Sequence, residues 1–277
     1  LAPGGQSFDQ EDEQEMTAGV VDRSGLVVAS NTMLAGESSP PSQSHAEPGI
    51  ARQSWSFNGV LGKFDRAQLQ RGYQVYSTVC ANCHSTQLLS YRNLGEEGGP
   101  QFSKEAVEIL ASKTQVTDGP NEKGEMFQRP ARPSDRFPPR FANDQLARLA
   151  NSGALPPDLS VMAKARPAGP DYIYALLTGY KPASADMKMT PGMHYNTAFP
   201  GHQIAMPPPL MDGVVPYTDG TKKTVDNYAK DVSAYLMWAA EPKLEERHNL
   251  GARIMIFLIV FAVIMFLAKR AVWSRMH

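Results

Sequence analysis

The chain has two cysteines, three residues apart and followed directly by a histidine: Cys80, Cys83 and His84 within "STVCANCHST" (77–86). Such a stretch can serve as a redox dithiol, as half of a metal site, or as the attachment point of a haem. A structural zinc needs four protein ligands, commonly from a second Cys or His pair at similar spacing. The other histidines, His45, His194, His202, His248 and His277, are scattered and offer no such pair. A thioredoxin-like dithiol would follow a strand in a βαβ pattern. Here "FDRAQLQRGYQVYSTV" precedes the motif, with Leu69, Tyr73 and Tyr76 at helical spacing and no β-branched run. C-x-x-C-H is the signal for haem c attachment. The two thiols become thioethers to the porphyrin vinyl groups, and the histidine is held beneath the iron as its proximal ligand.

The second axial ligand decides what such an iron does. An open position serves catalysis or gas binding, whereas a methionine thioether favours ferrous iron and electron transfer at raised potential. Among thirteen methionines, Met255 and Met265 fall in a long apolar run and Met237 in an apolar helix. Met206 differs, because "GHQIAMPPPL" (201–210) sets three prolines directly after it. Prolines fix φ and remove backbone donors, so this segment is expected to be a stiff loop, neither helix nor central strand. His194 and His202 are the rival ligands.

These residues need elements to position them. Steps of four place Gly72, Tyr76 and Cys80 on one face of the helix before the motif, where a glycine admits a second helix at close range. "VDNYAKDVSAYLMWAAEP" (225–242) predicts that second helix, with Tyr235 and Trp238 on one face and Pro242 after its end. Crossed first and last helices, with the haem motif following the first, are the pattern of a class I cytochrome c fold. The predicted class is mainly α, with long Pro/Gly-rich loops; 22 prolines and 22 glycines suit a small helical domain built round a large cofactor.

The remaining segments divide the chain further. Residues 1–52 carry an acidic cluster (Asp9, Glu11, Asp12, Glu13, Glu15) and a Ser/Pro/Gly-rich stretch, which predicts a disordered arm. No n-region and h-region of a signal peptide is visible there, so the start reads as processed or as a non-secretory extension. Residues 53–245 read as the haem domain. "IMIFLIVFAVIMFLA" (254–268) is apolar all round and, with its flanks, predicts one transmembrane anchor over 250–270 and a short tail at 271–277. Basic residues balance on its two sides, so charge does not orient it. Haem c attachment does, since that chemistry occurs on the outer side of the membrane. A net charge of −1 without a basic surplus argues against a nucleic-acid partner.

From "WSFNGVLGKFDRAQLQRGYQVYSTVCANCHS" (55–85) to the anchor, the chain resembles the cytochrome c1 family, the haem c subunits of cytochrome bc1 complexes. "DGPNEKGEMFQRP", "ANSGALPPDLS", "DYIYALLTGY", "FPGHQIAMPPP" and "KDVSAYLMWAAEP" carry the likeness by their order and spacing. The resemblance implies one covalent haem c on Cys80 and Cys83, with His84 and Met206 on the iron. It also implies pocket residues at Asn151, Pro157, Arg166, Tyr172, Leu177 and Ile204, with Arg166 suited to pair with a haem propionate. Residues 1–52 match nothing typical of the family core, and 86–110 departs from it in detail.

The implied activity is electron relay within a quinol–cytochrome c oxidoreductase that moves protons across the membrane. This chain would supply no general acid, base or nucleophile. The implied partners are cytochrome b, the Rieske iron–sulfur protein, a soluble or membrane-tethered cytochrome c and the lipid bilayer, in a dimeric multi-subunit complex. The implied location is the bacterial inner membrane with the haem domain in the periplasm, or alternatively the mitochondrial inner membrane on its intermembrane-space side. Two other readings compete: a membrane-anchored thiol oxidoreductase, and a haem c subunit of another enzyme, in which the anchor is commonly N-terminal.

Overall fold

In the computed structural model, residues 49–275 are described, so the expected arm over 1–52 lies almost wholly outside them. Helix α1 (Arg66–Thr78) starts where the Asp65 side chain accepts a hydrogen bond from the Gln68 N–H. Its face of Leu69, Gly72, Tyr73 and Tyr76 is buried against α6 (Val225–Ala240), which Thr224 caps by accepting from the Asn227 N–H. Gly72 marks the crossing. A Cβ there would lie 2.2 Å from the Asp231 carbonyl oxygen and 2.6 Å from the Tyr235 Cβ, so only hydrogen fits. Aromatic edges fill the space around it, with Tyr73 and Tyr76 both against Tyr235 and Tyr235 against Trp238. Buried Asp231 is matched by Arg71 at 2.8 Å and by the Tyr217 hydroxyl at 2.8 Å.

Between these helices run α2 (Lys104–Ser112), the hairpin β1–β2 (Gln115–Asp118 and Phe127–Pro130), α3 (Asp144–Ala150), α4 (Met162–Ala165) and α5 (Pro170–Thr178). A two-residue ladder follows, β3 (His194–Tyr195) against β4 (Gln203–Ile204). Helices α4 and α5 pack on α6, and the rest is ordered loop, which bears out a mainly helical class with little sheet.

Three local expectations are corrected. Helix α1 ends before Cys80: Val79 is its C-cap, in the right-handed region but with φ drawn out to −113° (ψ −60°), and Cys80–Asn82 tighten into a 3-10 turn. The β-branched pair Thr78–Val79 disfavours further helix. Only Gly72 and Tyr76 of the expected trio therefore share the helix face. The segment 201–210 also contributes Gln203 and Ile204 to a strand pair, because its prolines begin only at 207 and leave those N–H groups free to bond.

The C-terminal helix extends beyond the expected span at both ends. Helix α7 runs unbroken from Leu244 to Trp273, so it starts inside the folded domain and takes in residues 271–273 of the expected tail. Leu244 is buried, and Glu245 accepts from the Phe64 N–H and both Arg66 guanidinium nitrogens, each at 2.8 Å, which holds the first turn. From Ile254 to Leu267 its apolar side chains are exposed on every side, unlike those of a soluble core helix, and its length and composition suffice to cross a membrane.

Gly72→Val should lower stability by about 2–3 kcal/mol by forcing α1 and α6 apart. Urea unfolding of the detergent-solubilised chain reads this, and unchanged stability would contradict the close crossing.

Candidate functional site

The cysteine turn brings its three residues together through one acceptor. The Cys80 carbonyl takes the Cys83 N–H at 3.1 Å and the His84 N–H at 2.8 Å, which wraps the backbone round a single point. The His84 ring is then held by Nδ1, 2.8 Å from the Pro157 carbonyl oxygen. A carbonyl only accepts, so Nδ1 carries the proton and Nε2 keeps its lone pair. Burial disfavours the charged ring and lowers its pKa, against the opposing pull of the Pro157 carbonyl and Asp158. A neutral imidazole with Nε2 free is the form that binds metal.

The segment 157–160 is itself fixed. Asp158 accepts from the Ser85 hydroxyl (2.9 Å), the Gln87 N–H (2.8 Å) and the Ser160 N–H (2.8 Å). Leu159 N–H donates to the Ser85 carbonyl at 2.8 Å, and Leu88 N–H to the Ser160 hydroxyl at 3.1 Å. Burial opposes ionisation of Asp158, but these donors outweigh it and hold its pKa below the usual carboxylate range. On the other side, Thr86 donates to the Tyr76 hydroxyl at 3.1 Å, so the turn is also tied back to α1.

Met206 sits in a second framework. The Tyr180 hydroxyl donates to its carbonyl at 3.0 Å. Fully buried Asn196 organises the rest: Nδ2 donates to the Leu176 carbonyl at 2.7 Å, and Oδ1 accepts from Ala198 and Phe199 at 2.9 and 3.2 Å. The end of α5, which carries Leu177, thus grips the loop that carries Ile204 and Met206. The rival His202 has Nδ1 3.1 Å from the Asn196 carbonyl and its ring tilted against Tyr195, while His194 pairs with Ile204 across the ladder.

The remaining expected residues lie in separate places. Arg166 follows α4 and is exposed; with Tyr172 it lines a cavity of about 460 Å³ closed by Ala198 and Phe199. Burial raises the Tyr172 pKa, with Arg166 pulling the other way through charge and a hydrogen bond. Asn151 caps α3, its Nδ2 donating to the Ala147 carbonyl at 2.7 Å, so it is engaged within its own helix. Tyr180, Asn196 and Asp158 were not singled out from the sequence. Their roles lie in contacts far along the chain, which no local spacing announces.

The donor set suits a haem c. Two thiols flank a fixed turn, the histidine presents Nε2, and a thioether stands on a proline-stiffened loop. The Tyr235 hydroxyl, buried without a hydrogen-bond partner, lies within electrostatic reach of Cys80. The same turn suits a thiol oxidoreductase poorly. Burial pushes the Cys80 thiol up to about 12, whereas a reactive cysteine needs a depressed pKa.

A model of the Cytochrome C1 family matches residues 55–276. The chain belongs to the cytochrome c1 family. It is 44% identical to cytochrome c1 of Rhodospirillum rubrum over 240 residues, covering 81% of this chain and 87% of that one. A mitochondrial cytochrome c1 heme protein of Arabidopsis thaliana is 45% identical over 241 residues, covering 86% and 77%. A cytochrome b/c1 of Bradyrhizobium diazoefficiens is 47% identical over 242 residues, covering 80% of this chain and only 35% of that longer protein. Membership of the cytochrome c1 family makes the chain a haem-carrying, electron-transferring component of bacterial or mitochondrial membranes.

Asp158→Asn removes the charge from all three bonds and turns an NH2 group, itself a donor, toward at least one of the three donors, which should cost about 1–2 kcal/mol at neutral pH. A carboxylate whose folded pKa is depressed stabilises the fold above its unfolded pKa and loses that contribution as pH falls through the folded value. The gap between native and Asp158→Asn stability should therefore close in acid, below about pH 4. A gap that stays constant from pH 7 to 3 would contradict the role assigned to the carboxylate.

Proposed function

We propose that this chain is the cytochrome c1 subunit of a bc1 complex, carrying one haem c bound covalently by Cys80 and Cys83, with His84 and Met206 as axial ligands. The observation that carries this reading is the His84 Nδ1 to Pro157 carbonyl bond at 2.8 Å, which prepares Nε2 for a metal. Haem supplies reversible one-electron chemistry when bound. The protein's part is to hold ligands and shape the pocket. His84 is kept neutral and oriented, and Met206 is positioned through its own carbonyl by Tyr180 and by the prolines that follow. Arg166, exposed beside the cavity, can offer two parallel N–H groups to a propionate. Pro157, Tyr172, Leu177 and Ile204 are assigned to the pocket wall, and Asn151 to the same wall through the end of α3.

In this reading the Rieske iron–sulfur protein delivers an electron to the chain, and a soluble or tethered cytochrome c removes it. Cytochrome b is the neighbour in the membrane, within a dimeric multi-subunit assembly. The folded domain stands on the periplasmic side of a bacterial inner membrane, or on the intermembrane-space side in a mitochondrion. The family match, the names of the relatives and the exposed apolar length of α7 support this reading.

Replacing both cysteines, Cys80→Ala with Cys83→Ala, should abolish haem staining of the denatured band. Stain retained in that variant would overturn covalent attachment there. Met206→Leu should keep the stain but lower the midpoint potential, remove the sulfur-to-iron charge-transfer band and open the iron to carbon monoxide. A native spectrum and potential in Met206→Leu would move the ligand to His194 or His202.

A further inference from the structure

Just before α1 the chain makes a tight turn closed by the Gly62 N–H to the Gly59 carbonyl at 3.2 Å, with Val60 and Leu61 at its two central positions. Turn centres ordinarily select Gly, Pro, Asn, Asp or Ser, for their backbone freedom or local hydrogen bonds. Here they are two aliphatic side chains, 78% and 71% exposed. The turn is firmly built. A Cβ on Gly62 would meet the Phe57 carbonyl carbon at 2.3 Å, and the buried rings that flank the turn in sequence pack together, Trp55 stacked on Phe57 and Phe57 tilted against Phe64.

Its position gives the tip a meaning. The Gly62 carbonyl lies 3.2 Å from His248 Nδ1 on α7, and the next two residues along the chain are fixed to Glu245 through the Phe64 N–H. Leu250, the first residue of the expected span, lies only about 3 Å further along the helix axis from His248 at the α-helical rise, and the unbroken apolar run from Ile254 about 9 Å. Leu61 adjoins Gly62, so the exposed tip is placed where the helix passes from the folded domain into its apolar length.

We propose that Val60 and Leu61 dip into the interfacial layer of the lipid bilayer beside α7, forming a second membrane contact made by the folded domain itself. Exposed Lys63, directly after the turn, and exposed Arg253, five residues past His248 on α7, supply cations able to reach lipid phosphates while their stems stay with the acyl boundary. A bilayer fits this tip better than a protein partner does. Two side chains on a convex turn offer far less area than a specific protein interface needs, and lipid requires no matching groove. The inference rests on reading α7 as a membrane span.

The test uses the full chain in its native membranes, with the photoreactive residue benzoylphenylalanine at position 61, in a second variant at position 60, and as a control at Glu122 in the exposed β1–β2 connection. Irradiation followed by mass analysis should give lipid adducts at 61 and 60, several-fold above the control. Adducts to another polypeptide at both positions would overturn the proposal in favour of a protein neighbour. Adducts no more frequent than at Glu122 would overturn it in favour of water. Carbonate washing of the same membranes reads the span separately. Retention of the chain with control-level adducts refutes the turn's contact alone, and release of the chain refutes the span and this inference together.

Discussion

The architecture depends on one close approach, the crossing of α1 and α6 at Gly72. With hydrogen as its side chain, that residue lets the Asp231 carbonyl come to within 2.2 Å of where a Cβ would be. Everything that positions chemistry is attached to this pair. The cysteine turn hangs from the end of α1, and α4 and α5 lie on α6. The buried match of Asp231 with Arg71 and Tyr217 ties the crossing to the loop before α6, so the two helices and that loop keep one register.

Around this rigid centre the site is built mainly from loops, and loops need partners for their backbone polar groups once they leave water. Two side chains provide many of them. Asp158 gathers donors from 85–87 and 160, and Asn196 gathers donors from 198 and 199 while reaching back to α5. Each acts as a local substitute for secondary structure. Segments with almost no helix or sheet are thereby held firmly enough to present a histidine nitrogen and to fix a methionine's backbone. The cost of ordering such loops is offset within them, by hydrogen bonds that the core does not supply.

Much of this was legible in the sequence because it is periodic or because it is a short motif. Leu69, Gly72, Tyr73 and Tyr76 announced α1 by spacing, and Tyr235 and Trp238 with Pro242 announced α6 and where it ends. C-x-x-C-H marked out the turn of Cys80, Cys83 and His84 in five residues. The failures share a cause. Where α7 begins and which residues clamp the loops are decided by contacts between residues far apart in the chain, such as Arg66 with Glu245 or Ser85 with Asp158. Pro157 was named only through family resemblance, yet its part in the geometry is a backbone carbonyl, a group every residue possesses. No residue type could have revealed it.

The unbroken passage of the polypeptide from domain into α7 has a mechanical consequence. Thirty helical residues form a rod about 45 Å long. Its first turn is riveted to the domain by Glu245 and His248 rather than joined through a flexible hinge. Rotation or tilt of the rod is therefore transmitted to the head as a rigid-body movement. Whatever angle α7 takes becomes the angle at which the cysteine turn is held. For such a protein, orientation of the redox group is set as much by how the rod is gripped as by anything within the head.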